Sequence, residues 1–245
     1  MTQLQFDFEE PIRAIHIGPT NTIADLSILN GGMDMVLTHL VLNDEAYRVA
    51  FYSTPSYKLL DNSFFELGYC LSPKAMLEAA ILVDANCLIC PDGTLDGMDE
   101  FLDAGYDVMT IPKTSAQFKD MMYDNRIKFV GVSEEHIDYR HSPGARYELF
   151  RDHLDEGMPF KKIHLLGGTD SIYEIGMLHP FKKHISSWDS SACVWQGHLG
   201  IKVNEMKRKD TTSVNFSEEV DLMKEEIAHN IEFVSKLLKG VQYEG

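Results

Sequence analysis

The chain is short of cysteine, of long apolar runs and of basic charge, and each shortage excludes something. Its four cysteines, Cys70, Cys87, Cys90 and Cys193, are too few and too scattered for a disulfide framework, so reduced thiols are expected. Cys87 and Cys90 have CxxC spacing, but they fall in a run that reads as a strand. On a strand, positions i and i+3 point to opposite faces and cannot chelate one ion. No window holds the roughly 18 uninterrupted apolar residues of a membrane span. The start, Met1 to Glu10, lacks the basic and apolar regions of a signal peptide, and a cytoplasmic location is the expectation. With 22 basic against 38 acidic side chains the net charge is −16, which excludes whole-surface binding to nucleic acid or anionic membrane. A local basic strip is compatible with that balance. Lys202, Lys207, Arg208 and Lys209 form the one group dense enough to suggest a phosphate contact, whereas Lys161-Lys162 and Lys182-Lys183 read as solvated doublets.

No Pro/Gly-rich linker, low-complexity tract or sequence repeat divides the chain, so residues 1–245 read as a single domain. Hydrophobic residues make up 44%, ample for one core. Short apolar runs alternate with helical patterns: Ala14–Ile17, Met35–Leu40, Lys58–Leu60, Cys87–Cys90, Val108–Ile111, Lys128–Val132, Ile163–Leu166 and Ile185–Trp188. Eight strand candidates at intervals of about 20 to 35 residues match a (β/α)8 TIM-type barrel. Between them, Ser72-Pro73 supplies an N-cap and a first-turn proline, and 115–122 and 145–154 have helical period. After the eighth run, Ser217-Glu218-Glu219-Val220 predicts a long C-terminal helix to about Lys239, burying Val220, Met223, Ile227, Ile231, Val234 and Leu238. A doubly wound open sheet is the alternative. The closed barrel is preferred because it gathers strands three, four and eight around one mouth.

Those three strands each run into an aspartate: Leu59-Leu60-Asp61-Asn62, Leu88-Ile89-Cys90-Pro91-Asp92 and Ser186-Ser187-Trp188-Asp189-Ser190-Ser191. A carboxylate at the exit of a buried strand is costly unless paired or solvated in a pocket. Any one of them caps a helix readily; three together suggest one site at the C-terminal mouth of the barrel. Other polar residues at strand exits are Ser133, Glu134, Gly167, Gly168 and Ser190. Paired carboxylates can divide the work of a displacement, one as ionised nucleophile and one holding or relaying a proton, as when a carboxylate attacks an anomeric carbon. Asp189 and Asp61 fit those roles by position.

Asp61-Asn62-Ser63-Phe64-Phe65-Glu66 resembles the Asp-Ser-Gly-Gly-(Phe/Tyr)-Gln motif of the guanine transglycosylases, βα-barrel enzymes that exchange guanine in tRNA or DNA for a 7-deazaguanine. Pro91-Asp92 is similar to their base-reading aspartate, Leu165-Leu166-Gly167-Gly168 to their Gly-Gly strand exit, and Asp189-Ser190-Ser191 to their nucleophile motif. The last is closest in form to the DNA-modifying branch of phages and bacterial gene clusters; a phage-encoded protein would work in the host cytoplasm. The likeness spans roughly Leu59 to Gly200, with the motifs in the family's order. It implies that Asp189 attacks C1′ and displaces guanine, and that Asp61 is a general acid/base. It further implies that Asp92 accepts hydrogen bonds from the purine edge with Asn62 beside it, that the Gly167 and Gly168 backbone meets the incoming base, and that Phe65 stacks on it. Stacking and edge hydrogen bonds are how an extruded base is held. The implied partners are DNA, or tRNA, and a free 7-deazaguanine base, with a further subunit as one source of positive surface.

The chain departs from the family pattern in several places. Ser63 and Phe64 stand where the motif has two glycines, so another loop path is expected. Gly131-Val132-Ser133-Glu134 replaces a Val-Gln-Gly exit and leaves Ser133 as the polar group there. No cysteine cluster follows Cys193, so neither zinc nor a zinc subdomain is expected. Ala192 to His198 lacks the arginines that follow the nucleophile in the tRNA enzymes. The last two absences favour DNA over tRNA. No redox or metal cofactor is implied, because both half-reactions are displacements at one carbon. His16 and His39 read as core or mouth histidines, His198 as a surface histidine or phosphate contact, Trp188 and Trp195 as core, and Ser190 as a helix cap or a partner of Asp189. The rival readings are a tRNA-type transglycosylase, a nucleoside or glycoside hydrolase on the same barrel, and an acidic binding protein without catalysis.

Overall fold

The computed structural model describes residues 12–133, 138–139, 144–154, 158–159, 161–167, 174–204 and 214–239. Eight parallel strands form one sheet: β1 (Arg13–His16), β2 (Met33–Leu37), β3 (Tyr57–Asp61), β4 (Cys87–Ile89), β5 (Asp107–Thr110), β6 (Phe129–Ser133), β7 (Lys162–Leu166) and β8 (Ile185–Ser190). Each coincides, within a few residues at its ends, with one of the eight apolar runs. The hydrogen-bonded order is β1-β8-β7-β6-β5-β4-β3-β2, and β1 pairs with β8 in parallel, Arg13 opposite Ser187 and Ile15 opposite Asp189. Pairing of the first strand with the last excludes the doubly wound open sheet. The molecule is a nearly closed (β/α)8 TIM barrel with an added C-terminal helix.

Strand periodicity sorts the core into two layers. Ile15, Met33, Met35, Leu59, Cys87, Ile89, Met109, Ile111 and Phe129 fill the barrel interior. Their neighbours Val36, Leu60, Leu88, Val108, Val130, Val132, Leu165 and Trp188 pack outward against the helices. Cys87 belongs to the inner layer and Cys90 to the outer one, so the CxxC pair is divided by the sheet. All four thiols are free.

In β8 the alternation is interrupted. Ile163 pairs with Ile185, but the next residue, His164, pairs with Ser187, leaving Ser186 as a one-residue bulge. The Ser186 hydroxyl donates to the Ile163 carbonyl at 3.0 Å and holds the extra residue in place. Ile185 therefore faces the outer layer, while Ser187 and Asp189, of the same parity, face the interior. Without the bulge, continued alternation from Ile185 would turn Asp189 outward and Trp188 inward. Bulges beside active sites commonly re-aim a side chain in this way.

The helices start where capping chemistry allows. Ser72 Oγ accepts from Ala75 N at 3.3 Å ahead of Pro73–Val83, and Thr114 with Gln117 forms a capping box on Ser115–Tyr123. The C-terminal helix is Glu225–Leu238, which corrects the expected start near Ser217. Asn215 and Asp221 side chains accept from Ser217 N and Met223 N, turning the chain locally. Asn21 also binds both backbone groups of Val220, so the segment before the helix is tethered to the start of the barrel. Val220 is buried as expected, but Met223 is 87% exposed and leaves the apolar stripe; Ile227, Val234 and Leu238 are buried within the helix. Among the described residues no helix is long and apolar enough to cross a membrane.

Candidate functional site

The carboxyl of Asp61, the last residue of β3, projects at the mouth. Its Oδ2 accepts from Ser63 N at 2.7 Å, and its carbonyl accepts from the Thr38 hydroxyl at 2.5 Å. Ser63 has φ 60° and ψ 22°, the left-handed conformation that glycine favours, although it carries a side chain. A non-glycine residue there costs about 1–2 kcal/mol. Two contacts from one histidine offset the strain: Ser63 Oγ accepts from His39 N at 3.1 Å and meets His39 Nδ1 at 2.9 Å. Ser63 thus holds a left-handed backbone, and the turn aims a backbone N–H at Asp61. His39 is a mouth histidine engaged with this loop.

The Asp61 carboxyl is raised well above the ordinary carboxylate range. Desolvation is the largest cause, followed by the charge of Glu66; Asp189 and Asp92 push the same way, and the Ser63 N–H opposes them. Glu66 is itself raised, by desolvation first and then by Asp189. The acidic groups of β3, β4 and β8 therefore feel one another across a single mouth.

Asp189, 7% exposed, lies one residue from the end of β8. Its Oδ1 meets His164 Nε2 at 2.9 Å and accepts from Gly167 N at 3.3 Å. Among the described residues no hydrogen bond reaches Oδ2. His164, on β7, is fully buried inside the barrel, and its Nδ1 meets Ser187 Oγ at 2.7 Å. Sequence reading passed over His164 because it falls inside an apolar run; strand parity with Leu166, and the pairing of β7 with β8, were the signals that could have found it.

Asn62 and Asp92 form a second unit. Asn62 Nδ2 donates to the Cys90 carbonyl at 2.9 Å and to Asp92 Oδ1 at 3.2 Å, while Asn62 Oδ1 accepts from Phe64 N. The other Asp92 oxygen pairs with Lys113 Nζ at 2.6 Å. On β6, Ser133 follows the parity of Phe129 and Gly131 and faces inward, and its buried Oγ has no hydrogen-bond partner among the described residues. Phe65 is 93% exposed, in the short helix that follows β3. Gly167 has φ +64°, the left-handed turn that ends β7. Gly168, Glu134, Lys207, Arg208 and Lys209 lie outside the described residues. Behind the β7 exit, Arg146 is fully buried, donates from Nε to Glu174 at 2.8 Å and reaches the Leu166 carbonyl with Nη1 at 3.3 Å.

The remaining polar candidates have structural employment. Ser190 Oγ accepts from Ala192 N at 3.0 Å in the turn out of β8, one residue before the helix N-cap Ser191. His198 pairs with Glu218 at 2.8 Å and stacks on Trp195. His16 is buried, edge-on to Trp188 at 6.4 Å between ring centroids, and Trp188 and Trp195 are core. Among the described residues no group of three His, Cys, Asp or Glu side chains is arranged to hold a metal ion.

No protein-family profile matches the chain, and no curated protein matches it by sequence. Solved structures resemble it in shape. The Amycolatopsis orientalis BexX/CysO complex superposes with a TM-score of 0.51 at 13% identity, over 100% of this chain and 98% of that one. A D-psicose 3-epimerase crystallised with D-fructose reaches 0.49 at 10% identity, over 93% and 96%. A protein of Aquifex aeolicus VF5 also reaches 0.49, at 11% identity over 95% and 92%. At such identities the likeness concerns the fold alone: the chain is a TIM barrel, with buried polar and acidic groups at its mouth.

Proposed function

We propose that this barrel is a DNA-guanine transglycosylase, exchanging guanine for a 7-deazaguanine base through an ester on Asp189. The observation that carries the reading is that Asp61 and Asp189 both stand at inward-facing positions at the C-terminal strand ends of one barrel, in different surroundings. Asp61 is raised above the ordinary carboxylate range, chiefly by burial, the direction a proton donor requires. Asp189 engages its donors through Oδ1 and leaves Oδ2 without a hydrogen bond among the described residues.

In the first half-reaction Asp189 Oδ2 bonds to C1′ of the nucleotide, the bond from C1′ to guanine N9 breaks, and the leaving base takes the Asp61 proton. In the second, Asp61 as carboxylate accepts the N9 proton of the incoming base. That nitrogen bonds to C1′, and the ester bond breaks to restore Asp189. The Asp92 carboxylate, held by Asn62, and the Gly167 carbonyl supply acceptors for the purine edge, and Ser133 Oγ has hydrogen-bonding capacity to spare. The exposed Phe65 is free to stack on a base that enters. The motif departures after Asp189 favour DNA over tRNA as the polymer.

Incubation with labelled guanine and either DNA or tRNA tests the reading. Label entering DNA, lost in Asp189→Ala with the fold intact, is the expected result. Guanine released without incorporation would make the protein a hydrolase, and exchange that survives Asp189→Ala would remove the mechanism.

A further inference from the structure

We propose that His164 is a positioning residue, set by Ser187, that ties up Oδ1 of Asp189 and so makes Oδ2 the attacking oxygen; this rests on the transglycosylase reading above. Ser186 Oγ gives its proton to the Ile163 carbonyl at 3.0 Å. Among the described residues the Ser187 hydroxyl has two hydrogen-bonding neighbours, Ser186 Oγ at 3.4 Å and His164 Nδ1 at 2.7 Å, and only the second lies within the ordinary range for its proton. His164 Nδ1 is then an acceptor, and the ring proton sits on Nε2. An ionised Asp189 requires the same tautomer, because its Oδ1 lies 2.9 Å from Nε2 and has only lone pairs to offer. Both ends of the imidazole therefore assign one arrangement: Ser187 donates to His164, and His164 donates to Asp189.

The ring is enclosed and held at both nitrogens. His164 and Ser187 are both fully buried, and the bulge at Ser186 puts Ser187 and Asp189 on the same inner face of β8. The Gly167 N–H adds a second donor to the same oxygen at 3.3 Å. When the ester forms, Oδ1 becomes its carbonyl oxygen and keeps both donors, and Oδ2 becomes the bridging oxygen. No proton has to cross the His164–Asp189 contact in either half-reaction. This separates the role from that of a general base and makes it one of aim.

The test uses the full chain with His164→Gln, which keeps a donor near the Nε2 position, His164→Leu, which keeps none, and Ser187→Ala. The readouts are guanine release, base exchange and histidine 15N spectra. His164→Leu is expected to lower kcat for guanine release by about 10- to 100-fold, with the KM for the free base within about threefold of wild type. His164→Gln should restore most of the loss, which a merely structural role for the ring does not require. The wild-type spectrum should show His164 protonated at Nε2 and not at Nδ1, and Ser187→Ala should shift the Nδ1 signal most. A proton on Nδ1 in the wild type, or equal kcat in the Leu and Gln variants, overturns the assignment. The tautomer needs no turnover to be read. Wild type with the Nε2 proton but no base exchange would reject the transglycosylase reading and uphold the hydrogen-bond chain, so the two failures are told apart.

Discussion

Lys113 Nζ lies 2.6 Å from Asp92 Oδ2, tying the exits of β4 and β5 together, while Asn62 Nδ2 holds the other Asp92 oxygen from the exit of β3. The carboxylate is thus fixed between two donors, and each oxygen retains a lone pair for a ligand. A hydrogen bond to a charged group contributes about 1.5–3 kcal/mol when its partner is otherwise left unpaired. Asp92→Ala should accordingly raise the KM for the incoming base by about 10- to 100-fold and change kcat less. Equal KM values for wild type and variant, measured with the free base varied at fixed DNA, would remove Asp92 from base recognition.

Asp61 couples stability to activity. Its folded carboxyl is raised above the ordinary 3.8, so the folded chain keeps a proton that the unfolded chain has given up. Its effect on stability is therefore most favourable below pH 3.8, declines as pH rises toward the raised value, and is level above it. Asp61→Asn removes the ionisable group and should melt at a higher temperature than wild type near neutral pH. The same variant should lose about 10²- to 10⁴-fold in base exchange, the usual share of a general acid/base. Thermal melts at pH 4 and pH 7 check the first half, the gap between the proteins being wider at pH 7. A lower melting temperature for the variant at pH 7 contradicts the argument.

His16 works in the opposite direction. Burial lowers its imidazole from 6.5 to about 4, and its Nδ1 has no hydrogen-bond partner among the described residues. Between those values the unfolded chain binds a proton that the folded chain refuses, so this contribution is full above pH 6.5 and is lost as pH falls toward 4. The loss amounts to about 3 kcal/mol. Urea unfolding of wild type and His16→Gln at pH 7 and pH 4.5 should show a smaller pH dependence in the variant. Identical pH dependence in the two proteins would exclude His16 as the source.

Gly197 permits the closest helix approach at the C-terminal end. A Cβ there would lie 2.8 Å from the backbone nitrogen and Cα of Ile227, which is fully buried. Gly197→Ala must push Ala192–His198 away from Glu225–Leu238. Overpacking of this kind costs about 1–3 kcal/mol, which calorimetry should register as a lower melting temperature by roughly 2–4 °C per kcal/mol. An unchanged melting temperature would mean that the two helices are free to slide apart.

Much of the molecule was legible before the fold was known. Short apolar runs bounded by turns located all eight strands, because parallel barrel strands are buried on both faces and carry an apolar signal that turn residues punctuate. The same reasoning separated Cys87 from Cys90 and placed Asp61, Asp92 and Asp189 at strand exits, since parity and order along the chain are local properties. Local reading failed where distant residues intervene. The C-terminal helix begins at Glu225 because Asn21 holds both backbone groups of Val220 from the far end of the sequence.

What the sequence determined alone is the barrel and the set of acidic side chains at its strand ends. Tertiary structure decided how those side chains are aimed and paired. The register of β8 against β7 inserts Ser186, turns Asp189 inward and brings it against a buried His164 whose apolar neighbours conceal it in the sequence. Lys113 meets Asp92 only because β4 and β5 are adjacent. Strand alternation is written in neighbouring residues, but register is settled between strands, and a one-residue slip there reverses the face that every later side chain presents.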